Sequence, residues 1–251
     1  MIDSSVALDQ VRRSLAIAKK DLRIYYAKGP VVIFGILMPA FLFLAFSIGR
    51  QMPVNSLIPG LLGMAVFFTA TAVSPVVVPW ETQARTLERL ASCPVAVWTI
   101  LLGDMFASVI FGIVISFVPI LVGFMTGASI HHPFILAIGI ILAALCFSSM
   151  ALIFSFPATS LPSTIMMLSS LIKFPLVFVS GIFMPVGELP AWGKVIASLS
   201  PLTYFTEVAR YCIGGTNRYP LYLSLLLLLM FTIFFWEAAV TLHKRTLPRR
   251  L

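Results

Sequence analysis

The sequence predicts an all-α polytopic membrane protein, and three observations carry that reading. Hydrophobic residues make up 60% of the chain and charged residues only 10%, against roughly 25% charged in a soluble domain. Mean hydropathy is +1.04. Six apolar stretches are long enough to cross a bilayer: Val31–Gly49, Leu57–Pro79, Thr99–Gly127, Pro133–Phe156, Leu161–Met184 and Leu221–Leu242. A hydrocarbon core of about 30 Å takes about 20 apolar helical residues. These runs do not alternate polar and apolar residues, as barrel strands do. Only the fifth holds a central charge, Lys173.

Lys and Arg set the expected orientation. Twelve fall before the first stretch, between the second and third, and after the last: Arg12, Arg13, Lys19, Lys20, Arg23, Lys28, Arg85, Arg89, Lys244, Arg245, Arg249 and Arg250. Four fall on the other side: Arg50, Lys194, Arg210 and Arg218. The excess of basic residues on the cytoplasmic side of membrane proteins puts both termini in the cytoplasm. The net charge of +8 then reads as a rim beside anionic lipid, not as a nucleic-acid footprint. No cleavable leader is evident, because the first apolar run is long enough to span and lacks a small-x-small cleavage site. Cys93, Cys146 and Cys212 suggest neither a disulfide framework nor a metal set. The whole chain, 1–251, reads as one membrane domain with three polar devices.

The first device is the N-terminal segment, residues 1–30. Val11, Leu15, Ala18, Leu22 and Tyr25 recur at spacings of four and three, so they share a helical face. Arg12, Arg13, Lys19, Lys20 and Arg23 fall opposite. Such a helix lies in the membrane interface, as a lipid anchor or also as a docking surface. Gly29-Pro30 ends it.

The second device is the loop 80–98, WETQARTLERLASCPVAVW. Pro79 is expected to end the second span. A short charged helix follows over Gln83–Ser92, with Leu87 and Leu90 on one side. Glu81, Arg85, Glu88 and Arg89 are grouped by i, i+3 and i+4 spacing, and Pro94 closes the segment. A Leu pair between charges suits a partner's pocket better than a solvated loop.

The third device is SGIFMPVGELPAWGKVIASLSPLTYFTEVARYCIGGTN, starting at Ser180. Leu189, Trp192, Ile196 and Leu199 form an apolar stripe. Pro190 sits where a first helical turn accepts proline, Ser200-Pro201 stops that helix, and a second is expected from about Thr203 to Cys212. Glu207 and Arg210 are spaced to pair. Two helices of about 10 residues, about 15 Å each, cannot cross the bilayer. They must dip in and return, or lie flat, on the outer face.

Both segments resemble the ABC-2 type export permeases, membrane subunits of ATP-driven exporters, in the style of the drug-resistance and lipo-oligosaccharide types. The resemblance covers nearly the whole chain. In the outer segment it rests on Gly181, Pro185, Leu189, Pro190, Pro201, Leu202 and Arg210. In the loop it rests on ETQARTLERLASCPV, where Thr86, Leu87, Glu88, Leu90 and Pro94 match the family's pattern and Gln83 departs from it. The resemblance implies six transmembrane helices and an N-terminal amphipathic connecting helix. It also implies a cytoplasmic coupling helix over Thr82–Pro94, including Arg85 and Arg89, and an outer re-entrant pair over 181–217. It implies a permease dimer, here a homodimer, served by two copies of a separate ABC ATPase in the cell's plasma or inner membrane. The cargo would be a drug, a lipid or a lipid-linked glycan.

This chain has no G-x-x-x-x-G-K-[ST] loop, so ATP and Mg are expected on the partner and no cofactor or catalytic residue here. Lys173 is the informative charge, since a central Lys costs roughly 2.5–3.5 kcal/mol on insertion scales. It either meets anionic substrate on a path with Phe174 and Phe178, or bonds a backbone carbonyl. Pro39, Pro75, Pro119 and Pro175 kink their spans or serve as hinges. His131-His132 lacks a third metal ligand. Asp104 and Glu237, near span ends, are expected to pair locally. An ion-coupled secondary transporter using Lys173 is the alternative, though no inverted repeat supports it. A membrane-embedded enzyme would need a cluster of His, Asp, Glu or Cys that the chain does not supply.

Overall fold

The computed structural model describes residues 4–26, 33, 37–47, 54–157, 159, 161–183, 185–215 and 217–246. Among these, all regular structure is helical. The chain runs through α1 (Ser4–Asp21), a π-helical turn (Leu22–Tyr26), α2 (Met38–Ser47), α3 (Val54–Ala72) and α4 (Ser74–Gln83). It continues through α5 (Thr86–Ala91), α6 (Val97–Met125), α7 (Pro133–Phe154) and α8 (Pro162–Val179). After a 3-10 turn (Val186–Glu188) come α9 (Ala191–Ser198), α10 (Pro201–Ile213) and α11 (Leu221–Thr246).

Five segments are long and apolar enough to cross a membrane: Leu57–Gln83, Val97–Met125, Pro133–Phe154, Pro162–Val179 and Leu221–Thr246. Of the first expected span, Val31–Gly49, the described part is Ile33 and residues 37–47; Lys28, Gly29, Pro30 and Arg50 lie outside the described residues.

Leu57–Gln83 is the central crossing and is almost wholly buried. It packs against α6, α7 and α10. Pro79 does not end it. The helix bends instead at Val73, just before Ser74-Pro75, and then runs to Gln83. A proline in the first turn of α4 costs that helix no hydrogen bond, so the break falls ahead of Pro75 and leaves Pro79 inside the helix.

Phe67, Phe147 and Phe205 link α3, α7 and α10 edge to face, with centroids 5.1 and 6.2 Å apart. That is the favoured geometry for aromatic pairs. Two glycines let α10 sink into the bundle. A methyl at Gly139 would stand 2.8 Å from Val208 Cγ1, and one at Gly63 would stand 2.8 Å from Thr206 Cγ2. Small residues at such crossings allow close backbone approach.

The two short helices therefore differ. α10 is buried along nearly its whole length. On α9 and its C-terminal cap, the stripe Trp192, Ile196 and Leu199 faces outward, uncovered by the described residues.

Candidate functional site

The expected coupling segment folds around one unusual residue. Arg85 has φ +55°, in the left-handed region, and separates α4 from α5. The i, i+4 spacing counted through it therefore does not hold in space. Glu81 is buried and bonds Lys20 of α1, not Arg85, which is exposed. Past the break, the Thr86 hydroxyl donates to the Glu81 carbonyl at 3.3 Å. Leu87 is buried and Leu90 half-buried, so the apolar side anchors the helix. Arg85, Glu88, Arg89, Ser92, Cys93 and Pro94 remain exposed. Thr82, half-buried, donates its hydroxyl to the Val78 carbonyl at 2.8 Å.

α1 is fastened to this segment at two places. Near its start, Gln10 Nε2 donates to the Pro94 carbonyl at 3.3 Å, and Arg13 donates to the same oxygen. The Thr99 hydroxyl donates to Gln10 Oε1 at 2.7 Å. Near its end, Lys20 reaches Glu81 and also Asp21 Oδ1 at 3.1 Å, while Tyr25 stacks on Trp80 with centroids 5.3 Å apart.

The buried side of α1 is Ser14, Ile17, Ala18 and Asp21; Val11 and Leu15 are exposed beside Leu8. The apolar stripe expected from spacing is thus divided. Ala18 and Tyr25 face the protein, while Val11 and Leu15 face outward. Sequence reasoning missed Gln10 and Asp21, whose partners on α6 and around Pro94 lie far along the chain, and Ser14, buried with its hydroxyl donating to the Val11 carbonyl at 2.7 Å. A polar residue recurring beside a helix's apolar arc was the available signal.

At the opposite end, Arg210 organises the second motif. Its guanidinium donates to Glu207 Oε1 at 3.1 Å and to the Gly181 carbonyl. Gly181 itself has φ +79°. Glu207 Oε2 accepts the backbone N–H groups of Arg218 and Tyr219, which lead into α11. Burial pulls the Arg210 guanidinium below its ordinary value, and Glu207 pushes back. Pro185 opens the 3-10 turn, Pro190 caps α9, Pro201 starts α10, and Leu202 is wholly buried; Leu189 is half-buried. These residues shape one corner and hold no reactive group together.

Lys173 is 8% exposed, and its Nζ donates to the Thr71 carbonyl at 2.7 Å. A cavity of about 20 Å³ beside it is lined by Ser169, Phe174, Phe68, Pro75 and Met166. That is room for about one water. Phe178 points elsewhere, half-exposed, against Phe183 at 5.5 Å. Asp104 faces Asp21 of α1, and Glu237 is exposed. His132 stacks on Tyr211 at 5.2 Å, and the three cysteines are free thiols.

The family described as ABC-2 type transporter matches residues 11–213, a range holding the second half of α1, the α5 segment and Gly181, Glu207 and Arg210. The Inner membrane transport permease YadH of Escherichia coli K12 is 24% identical over 190 residues, which cover 75% of this chain and 74% of that protein. The YadH permease of Shigella flexneri is similar to the same extent. The chain belongs to the ABC-2 type transporter family, and it is a multi-pass membrane transport protein.

Proposed function

We propose that the chain is the permease subunit of an ATP-driven exporter, which moves a hydrophobic or amphipathic substrate out of the cytoplasm. Two copies pair around a path, and two separate ABC ATPase subunits supply the energy. Both termini and the α5 segment face the cytoplasm, following the charge bias. The six spans are the five described segments and the stretch Val31–Gly49. The α9–α10 pair re-enters from the outer face and caps the exit. The membrane is the cell's inner or plasma membrane, as the name of YadH suggests. A drug, a lipid or a lipid-linked glycan fits this kind of path.

One observation carries the reading: the α5 segment offers exposed Glu88 and Arg89 above a buried Leu87, on a frame fastened to α1. A helix so held transmits a push from a bound partner to α4 and α6 as a rigid body, a hinge or shear movement. Lys173 and Phe174 lie beside the bend that such a push would alter.

The test is co-expression with candidate ABC ATPases from the same cell, followed by purification and ATPase assay. The native pair should co-purify with permease-dependent hydrolysis. Glu88→Ala/Arg89→Ala should release the ATPase or uncouple it without changing the permease's thermal stability. No association of an ATPase under any condition would remove the proposal.

A further inference from the structure

Three acids and one lysine meet where α1 crosses the first turns of α6. Lys20 and Asp21 come from α1, Glu81 from α4 and Asp104 from α6. Asp21 is 0% exposed, and Glu81 and Asp104 are each 1% exposed. Tyr25 and Tyr26 of the π-helical turn close the site, with the Tyr26 hydroxyl 3.3 Å from Ser74 Oγ. Ser108 of α6 lies beside them. The other bases of α1, Arg12, Arg13 and Lys19, and Arg23 of the π-helical turn, are exposed or reach toward Pro94. On α5, the charges Arg85, Glu88 and Arg89 are exposed.

Lys20 serves Glu81 and forms an ion pair with Asp21 Oδ1 at 3.1 Å. One ammonium thus faces three carboxyls. The Asp21 and Asp104 carboxyls lie within hydrogen-bonding contact of each other. Yet Asp21 has only the Lys20 ammonium, which it shares with Glu81, and neither oxygen of Asp104 has a donor among the described residues. Two ionised carboxylates are acceptors only and cannot bond each other, whereas one added proton turns the contact into O–H···O. Like charges this close cannot both ionise without a large cost. A metal does not answer the need, because no three acidic, His or Cys residues among those described are arranged to hold one.

We infer that Asp21 and Asp104 share one proton drawn from the adjoining water, and that this proton fastens α1 to α6. The contact has no slack. A methyl at Gly103, next to Asp104, would stand 2.6 Å from Ile17 Cγ2. Loss of the proton sets two negative charges against each other across this seam, so α1 lifts. Gln10 and Arg13 then release Pro94, and the α5 segment loses its brace. The inference needs no ATPase and stands apart from the transport reading.

The sign follows from Asp21. Burial holds its carboxyl above the ordinary carboxylate range, with Lys20 pulling the other way. The folded chain keeps a proton that the unfolded chain releases, so stability falls as pH rises above the unfolded value.

The experiment is thermal unfolding of the purified full chain in lipid nanodiscs, followed by tryptophan fluorescence from about pH 5.5 to about pH 8.5. The native Tm should fall as pH rises. In Asp104→Asn the slope should shrink, because the amide donates to Asp21 without titrating, and the Tm at high pH should equal or exceed the native one. A flat native profile, or the same slope in Asp104→Asn, overturns the inference. Recovery of the high-pH Tm by sodium or potassium also overturns it, in favour of a cation site. If Asp104→Asn fails to fold, hydrogen exchange of the native chain decides. Protection of residues 4–21 relative to α10 should drop as pH rises, and a constant ratio overturns the shared proton.

Discussion

Lys173 Nζ donates a 2.7 Å hydrogen bond to the carbonyl of Thr71, the carbonyl that Pro75, four residues on, cannot serve with a backbone N–H. A buried charge and a proline break thus answer each other between α8 and the α3–α4 bend. The lysine supplies the donor that the proline removed. An unmade hydrogen bond to a buried group costs about 1–3 kcal/mol.

Lys173→Met should therefore lower the Tm of the purified chain, by an amount that depends on Pro75. In a Pro75→Ala background the backbone N–H can return to Thr71, and the same substitution should cost less than half as much. A double-mutant cycle reads this coupling. Equal cost in both backgrounds would mean that the Thr71 contact contributes nothing. Export that survives Lys173→Met unchanged, with unchanged ATPase stimulation, would remove any substrate role for this lysine.

Arg85 carries the only positive φ among the described non-glycine residues. Its side chain is exposed, so the strain of the left-handed region is not offset by packing. Arg85→Gly should stabilise the chain by about 1 kcal/mol, the usual left-handed penalty. Arg85→Val should destabilise it by at least as much, because a β-branched side chain tolerates that region worst. Thermal unfolding of both checks the order. Arg85→Asn keeps the turn and removes the charge, so ATPase stimulation by that variant reports on the charge alone.

Much of this arrangement was legible along the chain. Apolar runs, basic residues at one set of ends, and the two motif segments mark helices and family before any coordinate is seen. What escaped was contact across distance. Glu81 seemed to belong with Arg85 because four residues separate them, but one left-handed residue turns the helix and sends Glu81 to Lys20. Asp21 drew no reading from the sequence, and Asp104 read as a locally paired acid. Their meeting depends on how α1 crosses α6 at Gly103, which no periodicity encodes. The α9 stripe was readable as apolar, but whether it faces protein or lipid is decided by α10 filling the groove first.

The groove that α10 fills depends on Gly139. Gly139→Ala drives a methyl to 2.8 Å from Val208 Cγ1, so either α7 and α10 separate or Val208 shifts. Overpacking of this kind costs about 1–3 kcal/mol. Adding Val208→Ala should recover most of the loss, although Val208→Ala alone destabilises. Tm values of the two single variants and the double variant check this compensation. A double variant no better than the sum of the singles would show that the crossing is loose.

Arg210 gives the sharpest prediction at the other end of the bundle. It is 4% exposed and bonds Glu207 and the Gly181 carbonyl with different nitrogens. Removing one partner of a buried ion pair costs about 3–5 kcal/mol, because the other charge stays buried alone. Arg210→Met should therefore abolish most folded protein at growth temperature. Arg210→Lys keeps the charge but loses the planar fork that spans both acceptors, and should recover little. Arg210→Met/Glu207→Gln should do better than Arg210→Met. The neutral amide oxygen can still accept the Arg218 and Tyr219 N–H groups, and no unpaired charge remains. Folded yield by size-exclusion chromatography, with Tm where a peak exists, ranks the three. If Arg210→Lys matched the native chain, the charge alone would suffice, and the bond to Gly181 would not be what orders this corner.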